Sequence, residues 1–228
     1  MVFGLASGVA AISLGGGHTC ALTSAGGVVC WGYNPYGQLG DGTTDMRPTP
    51  VLVSGDASGA TAIAAGGLQT CALTRAGAVE CWGYNGSGQL GDGTTTDRHT
   101  PVAVSGLASG VKVIAAPNEH TCALTSPRGV DCWGWNGEGE IGDGTTVTSL
   151  EPIGVIGFGG SLKCAVPYAL GSLLPRAKSM IAHAHCRVGT IKRVASRKLK
   201  NTVVAELPRP YRRLKKGAGI NLKISRGR

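Results

Sequence analysis

A period of 51 residues, present three times, constrains the fold of this chain more than any other feature. Two cysteines, a tryptophan and an aspartate recur at that constant displacement: Cys20, Cys71 and Cys122; Cys30, Cys81 and Cys132; Trp31, Trp82 and Trp133; Asp41, Asp92 and Asp143. A fixed period of this length is typical of solenoids and propellers, in which each copy forms one supersecondary unit.

Each copy contains the pattern of short β-strands. Residues 19–23 and 28–32 flank a Ser-Ala-Gly-Gly turn, which predicts an antiparallel hairpin. A second pair is expected around residues 50–53 and 62–64, so that one period holds about four strands. Four strands per repeat predict one blade of a β-propeller, and the fold class is therefore mainly β, a partial propeller of about three blades.

Long strings of each copy carry a family resemblance. The strings HTCALT, CWGYN and GQLGDGTT, at residues 18–23, 30–34 and 37–44, resemble the regulator of chromosome condensation repeat in its cysteine-bearing bacterial version. The resemblance covers residues 1–157 and implies a ring of about seven blades. The third copy departs from the pattern, because Glu140 replaces glutamine and Ser149 stands where the others have arginine.

The first residues are in register with the repeat. Residues 2–9 match residues 104–111, and the apolar start lacks the basic segment of a signal peptide. We expect the chain to open within an earlier blade and to be a fragment, with further repeats and a signal peptide upstream.

Charge divides the chain near residue 160. Residues 1–160 carry 5 basic and 12 acidic side chains, a net charge of −7, whereas residues 161–228 carry 17 basic and one acidic, a net charge of +16. We predict a propeller part over 1–157, a linker over 158–163 and a second domain over 164–228. The sequence contains no run of 18 or more apolar residues, so it predicts no membrane span.

The cysteines of each repeat lie symmetrically about the hairpin turn. The spacing predicts three disulfides, Cys20–Cys30, Cys71–Cys81 and Cys122–Cys132, since directly opposed residues of antiparallel strands have suitable separations. The alternative is a zinc site using His18, but Gln69 replaces that histidine in the second copy. Eight paired cysteines favour an oxidising compartment, and hence a secreted or cell-surface protein.

The remaining polar motifs of the repeats do not predict catalysis. The Gly-Asp-Gly-Thr-Thr turns lack the alternating carboxylates of a calcium loop and the Lys-Ser/Thr of a phosphate loop, so the aspartate is interpreted as capping a turn. The repeated tryptophans are interpreted as packing between blades. Tyr33, Tyr84 and Trp135 are the candidates for an exposed contact surface. We predict no catalytic residue, no metal site and no cofactor.

The C-terminal part predicts a small α+β domain. A strand from Cys164, a helix with Ser172 as N-cap and Leu173, Leu174, Ala177, Ile181 and Ala184 on one face, and strands over 187–194, 202–207 and 219–225 follow in order. This part resembles a PASTA domain through Cys164-x-Val-Pro, Cys186-x-Val-Gly and the run from Leu214 to Ser225, with Tyr211 as a departure. The resemblance implies a Cys164–Cys186 pair and binding of peptidoglycan.

A domain of net charge +16 attracts polyanions. The predicted ligand-binding residues are its crowded basic side chains: Lys192, Arg193, Arg197, Lys198, Lys200, Arg212, Arg213, Lys215 and Lys216. The aromatic residues Tyr168 and Tyr211 are too few for a base-stacking surface, so nucleic acid is not expected. The expected partner is peptidoglycan or an anionic cell-wall polymer; a solvated basic face without a partner is the alternative.

Two functional hypotheses follow. In the first, a non-catalytic bacterial surface or secreted protein presents the propeller to an unknown protein or glycan, and its PASTA domain anchors it to the wall. In the second, the propeller is an intracellular exchange factor for a small GTPase or a chromatin-binding protein. The state of the cysteines discriminates between them. A carbohydrate-active enzyme would need a paired acid and base, which the sequence lacks.

Overall fold

The computed structural model describes residues 4–5, 7–55, 59–126, 129–158, 163–165, 167–184, 186–208, 210, 213–215 and 217–227, and for residues 163–165, 183, 213 and 215 the backbone alone. The chain forms two compact units. The sheet unit comprises residues 1–135 and 149–160, and the tail unit comprises residues 136–148 and 161–228.

The sheet unit contains three four-stranded antiparallel sheets whose strands lie in chain order. The first is β1 (Val9–Leu14), β2 (His18–Thr23), β3 (Val28–Gly32) and β4 (Arg47–Leu52); the second is β5 (Ala60–Ala65), β6 (Gln69–Thr74), β7 (Val79–Gly83) and β8 (Arg98–Ala103); the third is β9 (Val111–Ala115), β10 (His120–Thr125), β11 (Gly129–Gly134) and β12 (Ser149–Gly154). The predicted mainly β class with four strands per repeat is confirmed.

The predicted pairing of the strands at residues 50–53 and 62–64 was wrong. The strands at residues 50–53 and 62–64 exist as β4 and β5, but β4 is the last strand of the first sheet and β5 the first strand of the second. β5 instead pairs with β6, with Ala64 opposite Cys71, across a tight turn. The connection between β5 and β6 is shorter than that between β4 and β5, and closing a shorter loop costs less chain entropy.

Apolar side chains lie between successive sheets. One cluster joins Cys20 and Leu22 of the first sheet to Ala72 and Trp82 of the second. The next joins the second sheet to the third by the same repeat positions, among them Leu73 and Trp133. Each sheet is thus stabilised mainly by the face of its neighbour, as expected for stacked repeats.

The tail unit contains one helix packed on a small sheet. The helix α1 spans Leu174–His183, and the strands are β13 (Lys163–Ala165), β14 (Arg187–Val194), β15 (Val203–Leu207), β16 (Arg213–Lys215) and β17 (Gly219–Ser225). The sheet order is β14-β17-β15, with β14 parallel to β17 and β15 antiparallel to it, while β13 pairs with β16. Ala177 and Ile181 of the helix pack with Ile220 and Leu222 of β17. The predicted helix and three strands are present.

The start of the helix differs from the prediction. The N-cap residue is Leu173, whose side chain makes no capping hydrogen bond, and the Ser172 hydroxyl lies 3.9 Å from the Met180 sulfur. Leu173 is 53% exposed because its extended backbone places it outside the helical periodicity. Pro175 lies in the first turn as predicted, where its missing N–H is no loss. Among the described residues, no helix has the length and apolar character needed to cross a membrane.

Candidate binding surfaces

The repeat cysteines form intrasheet disulfides. The bonds are Cys20–Cys30, Cys71–Cys81 and Cys122–Cys132, each between residues directly opposed on neighbouring strands with Cα atoms 4.1 Å apart. These are the three pairs predicted from the spacing. The fourth predicted pair involves the Cys164 side chain, which lies outside the described residues, although Cys186 is disulfide-bonded. Three disulfides favour an oxidising environment.

In each junction between sheets, one backbone carbonyl accepts two hydrogen bonds from side chains of the next sheet. The Gln38 carbonyl accepts hydrogen bonds from the Thr70 hydroxyl (2.8 Å) and from Trp82 Nε1 (3.0 Å). In the next junction Gln89 accepts the same two bonds from Thr121 and Trp133, both at 2.9 Å. Burial of Trp82 and Trp133 is complete, which confirms their interpretation as packing residues.

Two glycines permit this close approach. Gly40 has φ +70°, and a Cβ built there would lie 2.7 Å from Trp82 Nε1; Gly91, with φ +71°, would place one 2.6 Å from Trp133 Nε1. Only glycine adopts this backbone without strain and leaves the space. Trp31 was also expected to be covered on both faces, and here the prediction was wrong, because Trp31 is only partly buried.

His18 is a structural residue of the first junction. Its Nε2 lies 2.8 Å from the Thr70 hydroxyl, whose hydrogen is already donated to the Gln38 carbonyl. Nε2 therefore carries the proton and donates to Thr70, and burial lowers the pKa of His18 to about 4. A neutral, buried imidazole in this bond is unsuited to general base chemistry. Among the described residues, no group of three His, Cys, Asp or Glu side chains is placed to hold a metal ion.

The aspartates of the Gly-Asp-Gly-Thr-Thr turns are occupied internally. Asp41 Oδ1 accepts hydrogen bonds from the backbone N–H (3.0 Å) and hydroxyl (2.7 Å) of Thr43, and Arg47 Nε donates to Oδ2 at 2.9 Å. Burial acts to raise the pKa of Asp41, but these hydrogen bonds and the guanidinium lower it overall. Asp92 is held in the same way by Thr94 and Arg98. The predicted turn-capping role is confirmed.

An aromatic side chain follows the third strand of each sheet, and it is exposed in Tyr33 and Trp135 and half-buried in Tyr84. Tyr33 and Trp135 are 39% and 46% exposed, and the rings of Tyr36 and Tyr84 meet edge to face across two sheets with centroids 5.0 Å apart. We call Tyr33, Tyr36, Tyr84 and Trp135 the aromatic edge. Tyrosine and tryptophan are enriched in protein interfaces, where they supply large rigid contact areas.

The loops that carry the aromatic edge are rigidly built and lie beside negative charge. In the first loop the buried Asn34 side chain accepts the Leu39 N–H (2.9 Å) and donates to the Thr43 carbonyl (3.1 Å). Burial first, and then the charges of Glu119 and Asp97, raise the pKa of Tyr84. The edge therefore presents preformed aromatic rings in an acidic setting.

The tail unit carries the predicted basic residues on and after β14. The side chains of Lys192, Arg193, Arg197, Lys198 and Lys200 are all exposed. Arg213 and Lys215 belong to β16, whereas Arg212 and Lys216 lie outside the described residues. Sequence reasoning missed Lys223, the register partner of Lys192 on the neighbouring strand. The polar alternation of β17 indicates that Lys223 points away from the core, but not which residue stands beside it.

Glu206, the one acidic residue of residues 161–228, does not offset this surface charge. Glu206 is 5% exposed and pairs in register with the core residue Leu222, on the helix side of the sheet. Its Oε2 accepts the Ala169 N–H at 3.1 Å, and burial raises the pKa of Glu206 to about 7.

Comparison with known proteins identifies the repeats. The model of the regulator of chromosome condensation (RCC1) repeat matches residues 25–73 and 76–124, and a second model of the same repeat matches residues 9–38 and 60–89. Human HERC4, a probable E3 ubiquitin-protein ligase, is 37% identical over 148 residues, which is 64% of this chain and 14% of that protein. The ultraviolet-B receptor UVR8 of Arabidopsis thaliana is 37% identical over 153 residues, 65% of this chain and 34% of that protein. This chain thus spans a minor part of these relatives.

Solved structures show the same fold. Human WBSCR16 superposes with a TM-score of 0.59 at 25% identity, over 65% of this chain and 38% of that one. The yeast protein Prp20, bound to Kap60, superposes with a TM-score of 0.60 at 21% identity, over 71% and 39%. The three stacked sheets therefore have the geometry of consecutive blades in a β-propeller.

Proposed function

This chain belongs to the family of regulator of chromosome condensation repeats, and from that premise we propose that it is a non-catalytic binding protein of a bacterial surface or of the secreted fraction. Its sheets form a protein-binding scaffold, and its tail binds peptidoglycan or another anionic wall polymer. The observation that carries this proposal is the combination, in one chain, of three disulfide-closed sheets and a strongly basic tail.

The aromatic edge supports the scaffold role. Tyr33 and Trp135 expose large parts of their rings, and the Tyr36–Tyr84 contact fixes two further rings in place. Preformed aromatic anchors lose little conformational entropy when a partner binds. The nearby carboxylates of Asp97 and Glu119 favour a protein or glycan partner that offers cations or hydroxyl groups.

Charge and the order of elements support the anchoring role of the tail. The described basic side chains of β14 and of the segment after it are exposed, while Glu206 is buried. A helix between a short first strand and three longer later strands, β14, β15 and β17, is the order that the PASTA resemblance implies. We interpret this unit as a PASTA domain and its net positive charge as the attraction toward wall polymers.

Sedimentation with purified walls tests the anchoring. The full chain is mixed with peptidoglycan stripped of teichoic acid, and with intact walls, at about 0.05 M and about 0.5 M salt. We expect co-sedimentation that a triple Arg197→Gln, Lys198→Gln and Lys200→Gln variant weakens. Retention at high salt supports a shaped site, since exposed charges separated by more than about 10 Å are largely screened at 0.1 M salt. No sedimentation of the wild type with either wall preparation would refute the anchoring.

The second candidate is an intracellular propeller that acts as an exchange factor or binds chromatin. Its support is the fold shared with Prp20, whose own structural report names binding to Gsp1p and histones. The disulfides distinguish the two candidates, because cytosolic and nuclear proteins keep their thiols reduced. Thiol titration of the native protein under denaturing conditions should find no free thiols if the surface role is right and eight if the intracellular role is right.

A further inference from the structure

The outer face of the tail sheet, opposite α1, carries a groove of about 240 Å³. Its lining includes Thr190 and Lys192 of β14, Ala205 and Leu207 of β15, and Asn221 and Lys223 of β17. Lys192 and Lys223 are register partners on adjacent parallel strands, so their side chains leave the same face of the sheet side by side. The groove thus holds two ammonium groups at neighbouring positions.

This pair of cations is not neutralised within the described structure. Like charges placed directly opposite each other on adjacent strands destabilise a sheet. Among the residues that the structure describes, neither Lys192 nor Lys223 forms an ion pair. Glu206 cannot reach them, because it faces the helix side with Leu222. An anion bound in the groove would offset the repulsion between the two ammonium groups.

The other polar groups of the groove are also arranged as donors. Asn221 Oδ1 accepts the backbone N–H of Thr190 at 2.7 Å. Since the amide oxygen is used in this bond, the Asn221 NH₂ group points away from it, and it makes no hydrogen bond to the described residues. The Thr190 hydroxyl adds a further donor at the same end. Ala205, the register partner of Lys223 on β15, contributes only a small apolar side chain to the groove.

We propose that this groove binds a phosphoryl group carried on a linear polyol- or sugar-phosphate polymer. The proposal rests on the anchoring role proposed above and places its specific contact on Lys192, Lys223 and Asn221. Two cations, an amide and a hydroxyl match the several acceptor oxygens of a phosphoryl group better than the two oxygens of a carboxylate. The exposed apolar side of Leu207 then lies along the carbon chain between phosphates.

Binding of glycerol 1-phosphate to the full chain tests the site. Isothermal titration at low salt compares the wild type with Lys192→Gln, Lys223→Gln and the double variant. Lys178→Gln is the matched control, because Lys178 is exposed on α1 and its replacement changes the net charge equally. We expect each groove variant to bind at least about tenfold more weakly, the double variant to show no binding, and the control to bind like the wild type.

Three outcomes would overturn the proposal: equal weakening by Lys178→Gln, unchanged binding in Lys223→Gln, or binding of lactate as strong as that of glycerol 1-phosphate. All substituted side chains are exposed, and circular dichroism of each variant verifies folding.

Wall sedimentation separates this site from the wider proposal. If the wild type and the double variant sediment equally with walls that carry teichoic acid, the site is wrong and the anchoring stands. If the wild type binds glycerol 1-phosphate through both lysines but sediments with no wall preparation, the site stands and the anchoring is wrong. Loss of wall binding in the double variant supports both.

Discussion

Replacing Trp82 with phenylalanine tests how strongly the repeats depend on their junctions. Trp82 is fully buried between the first two sheets, and its Nε1 donates to the Gln38 carbonyl at 3.0 Å. Phenylalanine keeps an aromatic ring in place but removes this donor and part of the buried volume. The Gln38 carbonyl retains the hydrogen bond from Thr70, so it is not left without a partner.

The expected loss of stability has two parts. A buried neutral hydrogen bond contributes about 1 kcal/mol net. The smaller ring gives up the burial of two to three carbon-sized groups at about 0.8 kcal/mol each, which adds about 2 kcal/mol. The Trp82→Phe variant should therefore lose about 3 kcal/mol of unfolding free energy.

The first repeat supplies the matched control. Trp31 occupies the same position but is partly exposed, and the structure shows no hydrogen bond from its indole to the described residues. Trp31→Phe should cost less than about 1 kcal/mol. Urea unfolding followed by far-ultraviolet circular dichroism, with the disulfides intact, gives both free energies from midpoint and slope. Equal losses in the two variants would refute the assigned role of the junction.

Three further predictions concern protons and disulfides. Because the folded state raises the pKa of Glu206 from 4.5 to about 7, stability should fall as pH rises through that window. The Glu206→Gln variant should not show this fall, and at pH 8 its free energy of unfolding should exceed that of the wild type by about 1–3 kcal/mol. Urea unfolding at pH 5 and pH 8 measures both. Because burial lowers the pKa of His18 from 6.5 to about 4, stability should be lost as pH falls through that range. His18→Gln, which places the residue of the second repeat at this position, should reduce the loss by about 2 kcal/mol at pH 5 in thermal unfolding. Peptide mapping without reduction should find the six repeat cysteines linked only within their own repeats, and a link between repeats would contradict the structure.

The repeat architecture was predictable because its signals are local. Cys20 and Cys30 lie symmetrically about a short turn, so the hairpin, its register and its disulfide follow from spacing alone. The assignment of β5 to the second sheet was not predictable in this way. Two short apolar strands separated by turn residues look like a hairpin whichever partner each one takes. Whether β5 pairs with β4 or with β6 depends on the relative lengths of the β4–β5 and β5–β6 connections.

The tail was predictable in outline and not in its contacts. Alternation and helical spacing predicted the elements, and charge counting predicted Lys192. Its partner Lys223 was missed because β14 and β17 are parallel strands far apart in the chain, and their register is set by packing under α1. Ser172 failed as an N-cap because the chain enters the helix one residue later.

The constant displacement across each junction has an evolutionary consequence. Gln38 meets Trp82, and Gln89 meets Trp133 at the same separation along the chain. A tandem duplication of 51 residues copies acceptor and donor together, so the new unit arrives already fitted to the neighbours on both sides. Such genes can lengthen by whole units without compensating mutations. A substitution that damages one junction leaves the next intact, because each repeat is coupled energetically only to its nearest neighbours.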